Sequence, residues 1–483
     1  MSYGPAAGSE PAADGALRPE LADLGRLARR GVRAVVGAAR AEERPKLSQI
    51  LIDHLGPGAA ALDVVEETWP GYDHVNVQAG LDAWLADPHR TWHLVGIAGF
   101  QHVIFGIGDL LSMGGDADQP YGLRPGNPAS VNLASGPDGE VCPCVRCGVY
   151  LVTDGETRTA VLLRGSAPEM GQNMVSVQIV ATDPEAAAAA AAQIRSAALE
   201  RNVFRGQVLS FDQEVFGPGR TLLQFHRRPT MGADQLILAP ETLAEVQRQV
   251  VEVARHKERL LAAGQHLKRG LLLYGPPGTG KTHTVRYLTS RLAGTTVLQL
   301  TGNAMHLIAE ACSVARALQP SMLVIEDVDL IADDRGMHPG QHPLLFQLLN
   351  EMDGLAEDAD VVFVLTTNRA DLLEPALAAR PGRVDQAVAL DLPDADARRA
   401  LFELYRGSLE VDTSDLDEVI ARCEGVTASF LKELLRRAAL LAAARTPGTG
   451  AIEVSAGDLS AALDELLDTR NAMTRTLLGS APR

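Results

Sequence analysis

The chain has 483 residues, of which 46% are hydrophobic, and a formal net charge of −17 at pH 7. At ~150 residues per domain, this length predicts roughly three domains, each able to bury a core. The acidic balance, without a basic stripe or a polybasic run, argues against binding of nucleic acid. Since the sequence also lacks a signal peptide and an apolar run of about 18 residues, we expect a cytoplasmic protein with no membrane partner.

The N-terminal residues 1–45 differ in composition from the rest of the chain. Residues 1–17 are rich in Ala, Gly, Pro and Ser, which is typical of a disordered tail. After them, Leu21, Leu24 and Leu27 recur near helical spacing. We therefore expect a disordered tail followed by an amphipathic helix.

Residues 46–230 mix short apolar runs with helical patterns, which predicts a separate α/β (α+β) domain. Apolar runs at 149–152 and 160–163, on either side of an Asp-Gly pair, indicate a β-hairpin. Asp183 followed by Pro184 predicts the start of an Ala-rich helix. We expect this domain to recognise a protein partner.

Three cysteines lie close together, at Cys142, Cys144 and Cys147. The spacing Cys144-x-x-Cys147 is that of a zinc knuckle, but structural zinc takes four ligands and a fourth is missing nearby. A zinc site, a redox-active thiol pair and free structural cysteines are therefore three open interpretations, of which we favour the free cysteines. An odd total of five cysteines also fits reduced thiols better than a disulfide framework.

A buried strand followed by a phosphate-binding loop is predicted over residues 270–282. The apolar run 270–274 leads into Gly-Pro-Pro-Gly-Thr-Gly-Lys-Thr, which matches the pattern G-x-x-x-x-G-K-[ST]. In such a loop, backbone N–H groups surround phosphate oxygens, the lysine supplies positive charge and the final hydroxyl binds Mg²⁺. The predicted nucleotide-binding residues are Gly275, Pro276, Pro277, Gly278, Thr279, Gly280, Lys281 and Thr282.

Further downstream, polar side chains follow predicted strands. Glu326 and Asp327 come directly after a buried apolar run. We expect this strand beside the phosphate-loop strand, where one carboxylate can serve Mg²⁺ and the other the attacking water. Asn368 ends another strand with an amide able to orient that water. Arg380 and Arg383 lie on a segment bounded by Pro and Gly. Two interpretations are open: they stabilise a transition state, or they are ordinary surface charges.

A helix is predicted over residues 240–263, just before the phosphate-loop strand. After it, apolar runs alternate with helical segments, which is typical of a parallel sheet covered by helices on both faces. With these motifs, residues 236–467 resemble an AAA+ ATPase module, and within that superfamily the AAA subfamily of ring-forming unfoldases and disassembly ATPases. The matching segments are residues 275–282 with Walker A, 325–327 with Walker B, Asn368 with sensor 1, and Arg380 and Arg383 with the paired arginine fingers.

The resemblance implies a fold, a set of cofactors and an assembly. It implies a parallel-sheet ATPase core over residues 231–392, a small helical lid over 393–470 and a C-terminal tail over 471–483. The predicted lid helices are 394–405, 429–444 and 455–467. It implies ATP and Mg²⁺ as cofactors, with Thr282 and Glu326 holding the metal. It also implies a ring, expected to be a homo-hexamer, in which the arginine fingers act on the neighbouring subunit's ATP. The catalytic residues implied are Glu326, Asp327, Asn368, Arg380 and Arg383.

Two departures from the subfamily pattern bear on function. Most members have Asp then Glu in Walker B, whereas this chain has Glu326 then Asp327, an order also used by the mitochondrial AAA translocase that matures respiratory complex III. The shorter base predicts slower turnover. The segment 302–321 is shorter than in threading unfoldases and lacks, at 303–307, the aromatic residue that grips substrate in the central pore. This second departure argues against polypeptide threading.

We therefore expect an ATP-hydrolysing machine that remodels or disassembles a protein partner bound by the N-terminal domain. The alternative is a nucleotide-gated assembly scaffold that performs little mechanical work. A DNA or RNA motor comes third because of the acidic charge balance.

Overall fold

A computed structural model describes residues 46–112, 123–213, 221–329, 343–356, 358–370, 384–445 and 450–468. The predicted N-terminal tail and helix, and the predicted C-terminal tail from 471 onward, lie outside these residues. The described residues form two seven-stranded sheets, a separate helical cluster and one short strand pair. Within them, no helix combines the length and the apolar character that crossing a membrane requires.

The first sheet is antiparallel and has the strand order β1-β7-β6-β5-β2-β3, with β4 paired to β5. Its strands are β1 (Val65–Pro70), β2 (Arg90–Ala98), β3 (Arg124–Gly126), β4 (Ala129–Ala134), β5 (Val141–Asp154), β6 (Thr157–Arg164) and β7 (Met174–Ala181). Four helices accompany it: α1 (Leu47–Leu55), α2 (His74–Leu85), α3 (Ile107–Ser112) and α4 (Pro184–Glu200). This region is therefore of the α+β type.

Alternating side chains of this sheet fill two cores, because successive residues of a strand point to opposite faces. Val161 belongs to the cluster formed with α2 and α4, whereas Leu162 belongs to the cluster formed with α1 and α3. The predicted hairpin is confirmed as β5 and β6, in which Asp154 pairs with Thr157. Gly155 has φ 59° in the turn, a left-handed conformation that glycine adopts without steric cost.

The second sheet has the order β14-β10-β13-β12-β11-β8-β9, and all its neighbours are parallel except the antiparallel pair of β8 and β9. Its strands are β8 (Val208–Gln213), β9 (Thr221–His226), β10 (Arg269–Tyr274), β11 (Thr296–Leu300), β12 (Ser321–Ile325), β13 (Val361–Thr367) and β14 (Gln386–Ala389). β12 and β13 are buried along their whole length, and β10 and β11 at all but one residue each. That burial explains their near-continuous apolar sequences.

Helices cover both faces of this sheet, as predicted. α9 (Ile308–Ala317) and α10 (Pro343–Asp353) share one hydrophobic cluster with the sheet. The other face is covered by α8 (Lys281–Arg291) and by α5 (Pro240–Gln247) with the π-helical turn that follows it. After that turn, Arg248–Glu252, come α6 (Val253–Arg255) and α7 (Lys257–Ala262), so that the helix predicted over 240–263 is present in four pieces.

β8 and β9 belong to the second sheet, although they precede the domain boundary predicted at residue 230. That division places them in the N-terminal domain, but β8 pairs with β11, where Val208 lies opposite Val297. An apolar strand sequence does not state which sheet the strand joins, so the pattern alone could not reveal this pairing. In other respects the division into domains stays a prediction.

Aromatic side chains join the two sheets. The ring of Tyr72 lies 6.5 Å from that of Phe204 and 6.3 Å from that of Phe211, edge to face in both pairs. Phe204 also contacts Phe225 on β9, at 5.5 Å between ring centroids. One hydrophobic cluster therefore runs from the first sheet into the core of the second. We call Tyr72, Phe204, Phe211 and Phe225 the aromatic junction.

The C-terminal helices form their own hydrophobic cluster. They are α11 (Ala395–Arg406), α12 (Leu416–Arg422), α13 (Ala428–Arg445) and α14 (Ala456–Leu467), with a two-stranded pair of β15 (Glu410–Val411) and β16 (Glu453–Val454). The three helices predicted for the lid are confirmed. Sequence analysis did not predict the seven-residue α12, which is short for a helical pattern.

Candidate nucleotide-binding site

The carboxyl ends of β10, β13 and β12 meet at one edge of the second sheet, because neighbouring parallel strands point the same way. The strand that carries the paired acids was expected beside the phosphate-loop strand. It lies one place further away, with β13 between them. This order places the residues that end β13 between the phosphate loop and the two acids.

The phosphate loop follows β10 and uses its glycines where no other residue fits well. Gly275 has φ 149°, and a Cβ there would lie 2.3 Å from the carbonyl oxygen of Leu390. Lys281 begins α8 and is 7% exposed, and its Nζ donates to the carbonyl oxygens of Gly275 at 2.8 Å and Pro276 at 2.9 Å. Burial lowers the pKa of Lys281, while the negative charge of Asp327 nearby raises it.

Thr282 and Glu326 come together although β13 lies between β10, which leads into the phosphate loop, and β12, which leads to Glu326. The hydroxyl of Thr282 donates to Oε2 of Glu326 at 3.0 Å. Burial is the main cause that raises the pKa of Glu326, and the hydrogen bond from Thr282 acts in the opposite direction. Hydroxyl and carboxylate oxygens are ligands that Mg²⁺ accepts, so the residues present fit this ion.

Asp327 and Asn368 also lie together. Nδ2 of Asn368 donates to Oδ1 of Asp327 at 3.2 Å. The backbone N–H of Asp327 donates to Oγ1 of Thr366 at 3.0 Å. A carboxylate and an amide thus face the same space at the ends of two adjacent strands, where the first could accept a proton and the second could orient a water molecule.

Sequence analysis missed Asp329, which supports this arrangement. Its Oδ1 accepts from the hydroxyl of Thr367 at 2.8 Å and from the N–H of Asn368 at 3.3 Å. A third acid two residues after Asp327 was a visible signal in the sequence. Its partners are the last residue of β13 and the residue directly after it, 38 and 39 residues away, which no local pattern reveals.

The helical cluster covers the phosphate loop. The N–H of Ser429, near the start of α13, donates to the carbonyl oxygen of Gly278 at 3.4 Å. A Cβ at Gly278 would lie 2.9 Å from Oγ1 of Thr427, so only glycine allows so close an approach. The cavity between the loop and the lid measures about 390 Å³, which is within the usual range for small-molecule sites. Its lining includes Ile237, Leu401, Tyr405 and Lys432, which sequence analysis did not single out.

The predicted arginine fingers, Arg380 and Arg383, lie outside the described residues. Their role stays a prediction.

The three clustered cysteines do not converge. They lie on the extended strand β5, where Cys144 joins the hydrophobic cluster shared with the second sheet and Cys147 joins the cluster of α1 and α3. An odd offset along a strand places side chains on opposite faces, which a zinc knuckle would not allow. In the described parts of the chain, no three His, Cys, Asp or Glu side chains form a group that could hold a metal. Burial raises the pKa of both Cys144 and Cys147 to about 12, which favours inert structural thiols.

Comparisons with known proteins fit this geometry. Residues 271–392 match the sequence model of the "ATPase family associated with various cellular activities (AAA)". The ATP-dependent zinc metalloprotease FtsH 2 of Sphaerobacter thermophilus is 36% identical over 273 residues, which cover 54% of this chain and 40% of that relative. FtsH 1 of Thermomicrobium roseum, with the same description, is 33% identical over 250 residues, or 48% of this chain and 38% of the relative. The chloroplastic FTSH 1 of Oryza sativa subsp. japonica is 31% identical over 264 residues, or 52% and 38%. The chain spans less than half the length of these three relatives.

Proposed function

This chain carries an ATPase domain of the AAA family, and we propose that the domain hydrolyses ATP in order to remodel or disassemble a protein bound by the N-terminal domain. The observation that carries the proposal is that the phosphate loop, Asp327 and Asn368 line one cavity below a helical lid, while Glu326 accepts a hydrogen bond from Thr282 of that loop. The similarity to ATP-dependent enzymes supports it.

The proposed reaction assigns one task to each side chain at the carboxyl edge of the second sheet. Asn368 orients a water molecule, and Asp327 accepts its proton while the water oxygen bonds to the γ-phosphorus. The bond between that phosphorus and the oxygen bridging to the β-phosphate breaks, so ADP and phosphate leave and the proton passes from Asp327 to solvent. Lys281 stabilises the charge on the phosphate oxygens. When bound by Thr282 and Glu326, Mg²⁺ would neutralise phosphate charge.

Remodelling through the N-terminal domain is supported by the packing between the two sheets. The aromatic junction attaches the first sheet to β8, and β8 is paired with β11. β11 leads directly into the 3₁₀ segment Gly302–Leu307, in which Met305 and Leu307 are 5% and 7% exposed. These two side chains belong to the hydrophobic core, which supports a proposal without polypeptide threading.

The proposal covers ATP-dependent action and no proteolysis, since the zinc-protease pattern H-E-x-x-H does not occur in these 483 residues. We also propose a homo-hexameric ring, because the expected arginine fingers act across a subunit boundary. The cytoplasmic location and the absence of nucleic-acid and membrane partners stay predictions from composition.

The test separates nucleotide binding from hydrolysis. Lys281→Ala should lose ATP binding because the phosphate loop loses its cation, whereas Asp327→Asn should bind ATP and release phosphate only at a small residual rate. Titration with a fluorescent ATP analogue and a phosphate-release assay measure the two properties. Equal ATP affinity for Lys281→Ala and wild type would refute the site assignment.

The remodelling step needs a second experiment. The Asp327→Asn protein should trap a partner in the ATP-bound state, and that partner, once purified, should raise the wild-type ATPase rate and lose structure while ATP is consumed. The scaffold alternative is favoured by the shorter base, Asp327. It predicts ATP-dependent assembly with the partner and no rise in turnover.

A further inference from the structure

Asp327 is the one non-glycine residue with a positive φ among the residues that the structure describes, at 54°. Left-handed backbone is disfavoured for residues with a Cβ, although aspartate tolerates it better than most. Such conformations persist only where surrounding contacts impose them. In the proposed mechanism Asp327 accepts the proton of the attacking water, so the contacts that hold its backbone affect the reaction.

Thr366 supplies those contacts from the adjacent strand β13. Its Oγ1 accepts a hydrogen bond from the N–H of Asp327 at 3.0 Å, and its carbonyl oxygen accepts one from the N–H of Val328 at 2.9 Å. The two N–H groups flank the Cα of Asp327, so together they restrain rotation about both of its backbone bonds. Thr366 is 2% exposed and lies opposite Leu273 of β10 in the sheet.

The same strand also orients the carboxylate. Asn368 lies two residues after Thr366, a spacing that puts both side chains on one face of an extended chain. Thr366 holds the backbone of Asp327, and Asn368 donates to its Oδ1 at 3.2 Å. All three residues line the nucleotide cavity. The intervening Thr367 makes a different contact, since its hydroxyl donates to Asp329 at 2.8 Å.

We propose that Thr366 is a positioning residue for ATP hydrolysis: its hydroxyl holds the left-handed backbone of Asp327 and thereby directs this carboxylate, one methylene shorter than glutamate, at the attacking water. The inference rests on the proposed function, in which Asp327 accepts the proton from that water. Thr366 acts through Asp327 and takes no part in the reaction itself.

The test compares Thr366→Val, which keeps the shape and loses the acceptor, with Thr366→Ser, which keeps the acceptor. For Thr366→Val we expect kcat to fall about 10- to 100-fold, because a small misplacement of a reacting group has an effect of that size. The Kd for ATP should change less than about 2-fold. Thr366→Ser should restore kcat to near the wild-type value. Thr289→Val is the matched control, since Thr289 is 1% exposed and its hydroxyl donates to the carbonyl oxygen of Val285 in α8. It should leave kcat unchanged.

A double-mutant comparison shows whether Thr366 acts through Asp327. In the Asp327→Asn background, Thr366→Val should not lower the residual rate further. An unchanged kcat in Thr366→Val, or an equal further loss in the double variant, would overturn the inference. If Thr366→Val melts below the assay temperature, Thr366→Ala replaces it in the comparison with wild type. Alanine also removes the acceptor and places no methyl group beside the N–H of Asp327. Wild-type turnover by Asp327→Asn would instead refute the proposed function, so the two failures are distinguishable.

Discussion

The hydroxyl of Thr282 donates a 3.0 Å hydrogen bond to Oε2 of Glu326, and this bond joins the phosphate loop to the end of β12 across the intervening strand. Two oxygen ligands suited to a hard cation therefore lie side by side, although 44 residues separate them in the chain. The carboxylate is partly buried, which raises its pKa, and a bound cation would favour its charged form.

We predict that Glu326→Ala raises the Mg²⁺ concentration needed for half-maximal ATPase activity by at least about 10-fold. Loss of a residue that only hydrogen-bonds to a metal ligand already lowers metal affinity by about that factor. The physical reason is the loss of the anionic ligand while the phosphate loop stays intact. A Mg²⁺ titration at fixed ATP measures the effect. Glu258→Gln, an exposed acid on α7, should not change the titration. Overlapping curves for Glu326→Ala and wild type would show that this carboxylate does not bind the metal.

If Arg380 and Arg383 are arginine fingers, ATP hydrolysis should depend on contact between neighbouring subunits. Arg380→Ala should bind ATP normally and hydrolyse it about 10³- to 10⁵-fold more slowly, because a finger supplied by the neighbour stabilises the transferred phosphoryl group. Mixing Arg380→Ala subunits with Asp327→Asn subunits creates interfaces that pair an intact base with an intact finger. The mixture should recover part of the wild-type phosphate release. If subunits exchange and no ratio restores hydrolysis, the fingers do not act in trans.

Tyr72 should be important for the attachment of the first sheet to the second. Its ring contacts Phe204 and Phe211 edge to face, so Tyr72→Ala should lower the free energy of unfolding by about 2 kcal/mol or more. Urea unfolding followed by tryptophan fluorescence can measure this, because all three tryptophans lie in the first sheet or in α2, at positions 69, 84 and 92. Tyr72→Phe keeps the ring and should stay within about 0.5 kcal/mol of wild type. Equal losses in both variants would show that the hydroxyl, and not the ring, matters.

His74 predicts a pH dependence of stability. The imidazole is 4% exposed and its Nε2 lies 3.0 Å from the carbonyl oxygen of Val145, to which the neutral ring donates. Burial lowers the pKa of His74 from 6.5 to about 4. Below pH 6.5 the unfolded chain therefore binds a proton that the folded chain does not, so stability falls with pH and the loss is complete near pH 4, at about 3 kcal/mol.

The difference in unfolding free energy between wild type and His74→Gln, measured by urea unfolding at pH 7, 6 and 5, isolates this contribution. His74→Gln should lose less stability than wild type as the pH falls, since glutamine does not titrate. His89→Gln, at an exposed histidine, should follow the wild-type profile. Parallel curves for wild type and His74→Gln would contradict the prediction.

Local sequence by itself determined the features whose residues are neighbours along the chain. The phosphate loop is eight consecutive residues, so its pattern was sufficient to identify it. The β5–β6 hairpin and the Asp183 cap of α4, whose carboxylate accepts from the N–H of Glu185 at 3.0 Å, likewise depend on contacts a few residues apart. Buried parallel strands and helical faces were predicted because burial imposes a period on the residues themselves.

The tertiary structure alone decided which distant residues meet. Strand order placed β13 between the phosphate loop and the paired acids, and thereby brought Thr366 to the backbone of Asp327, 39 residues away. The tertiary structure also pairs β8 with β11 of the second sheet and places Cys144 and Cys147 in different hydrophobic clusters. Periodicity specifies which face of a strand is buried, but the neighbour of that strand depends on the packing of the whole chain. For this reason the chemistry was predictable from motifs, and its positioning contacts were not.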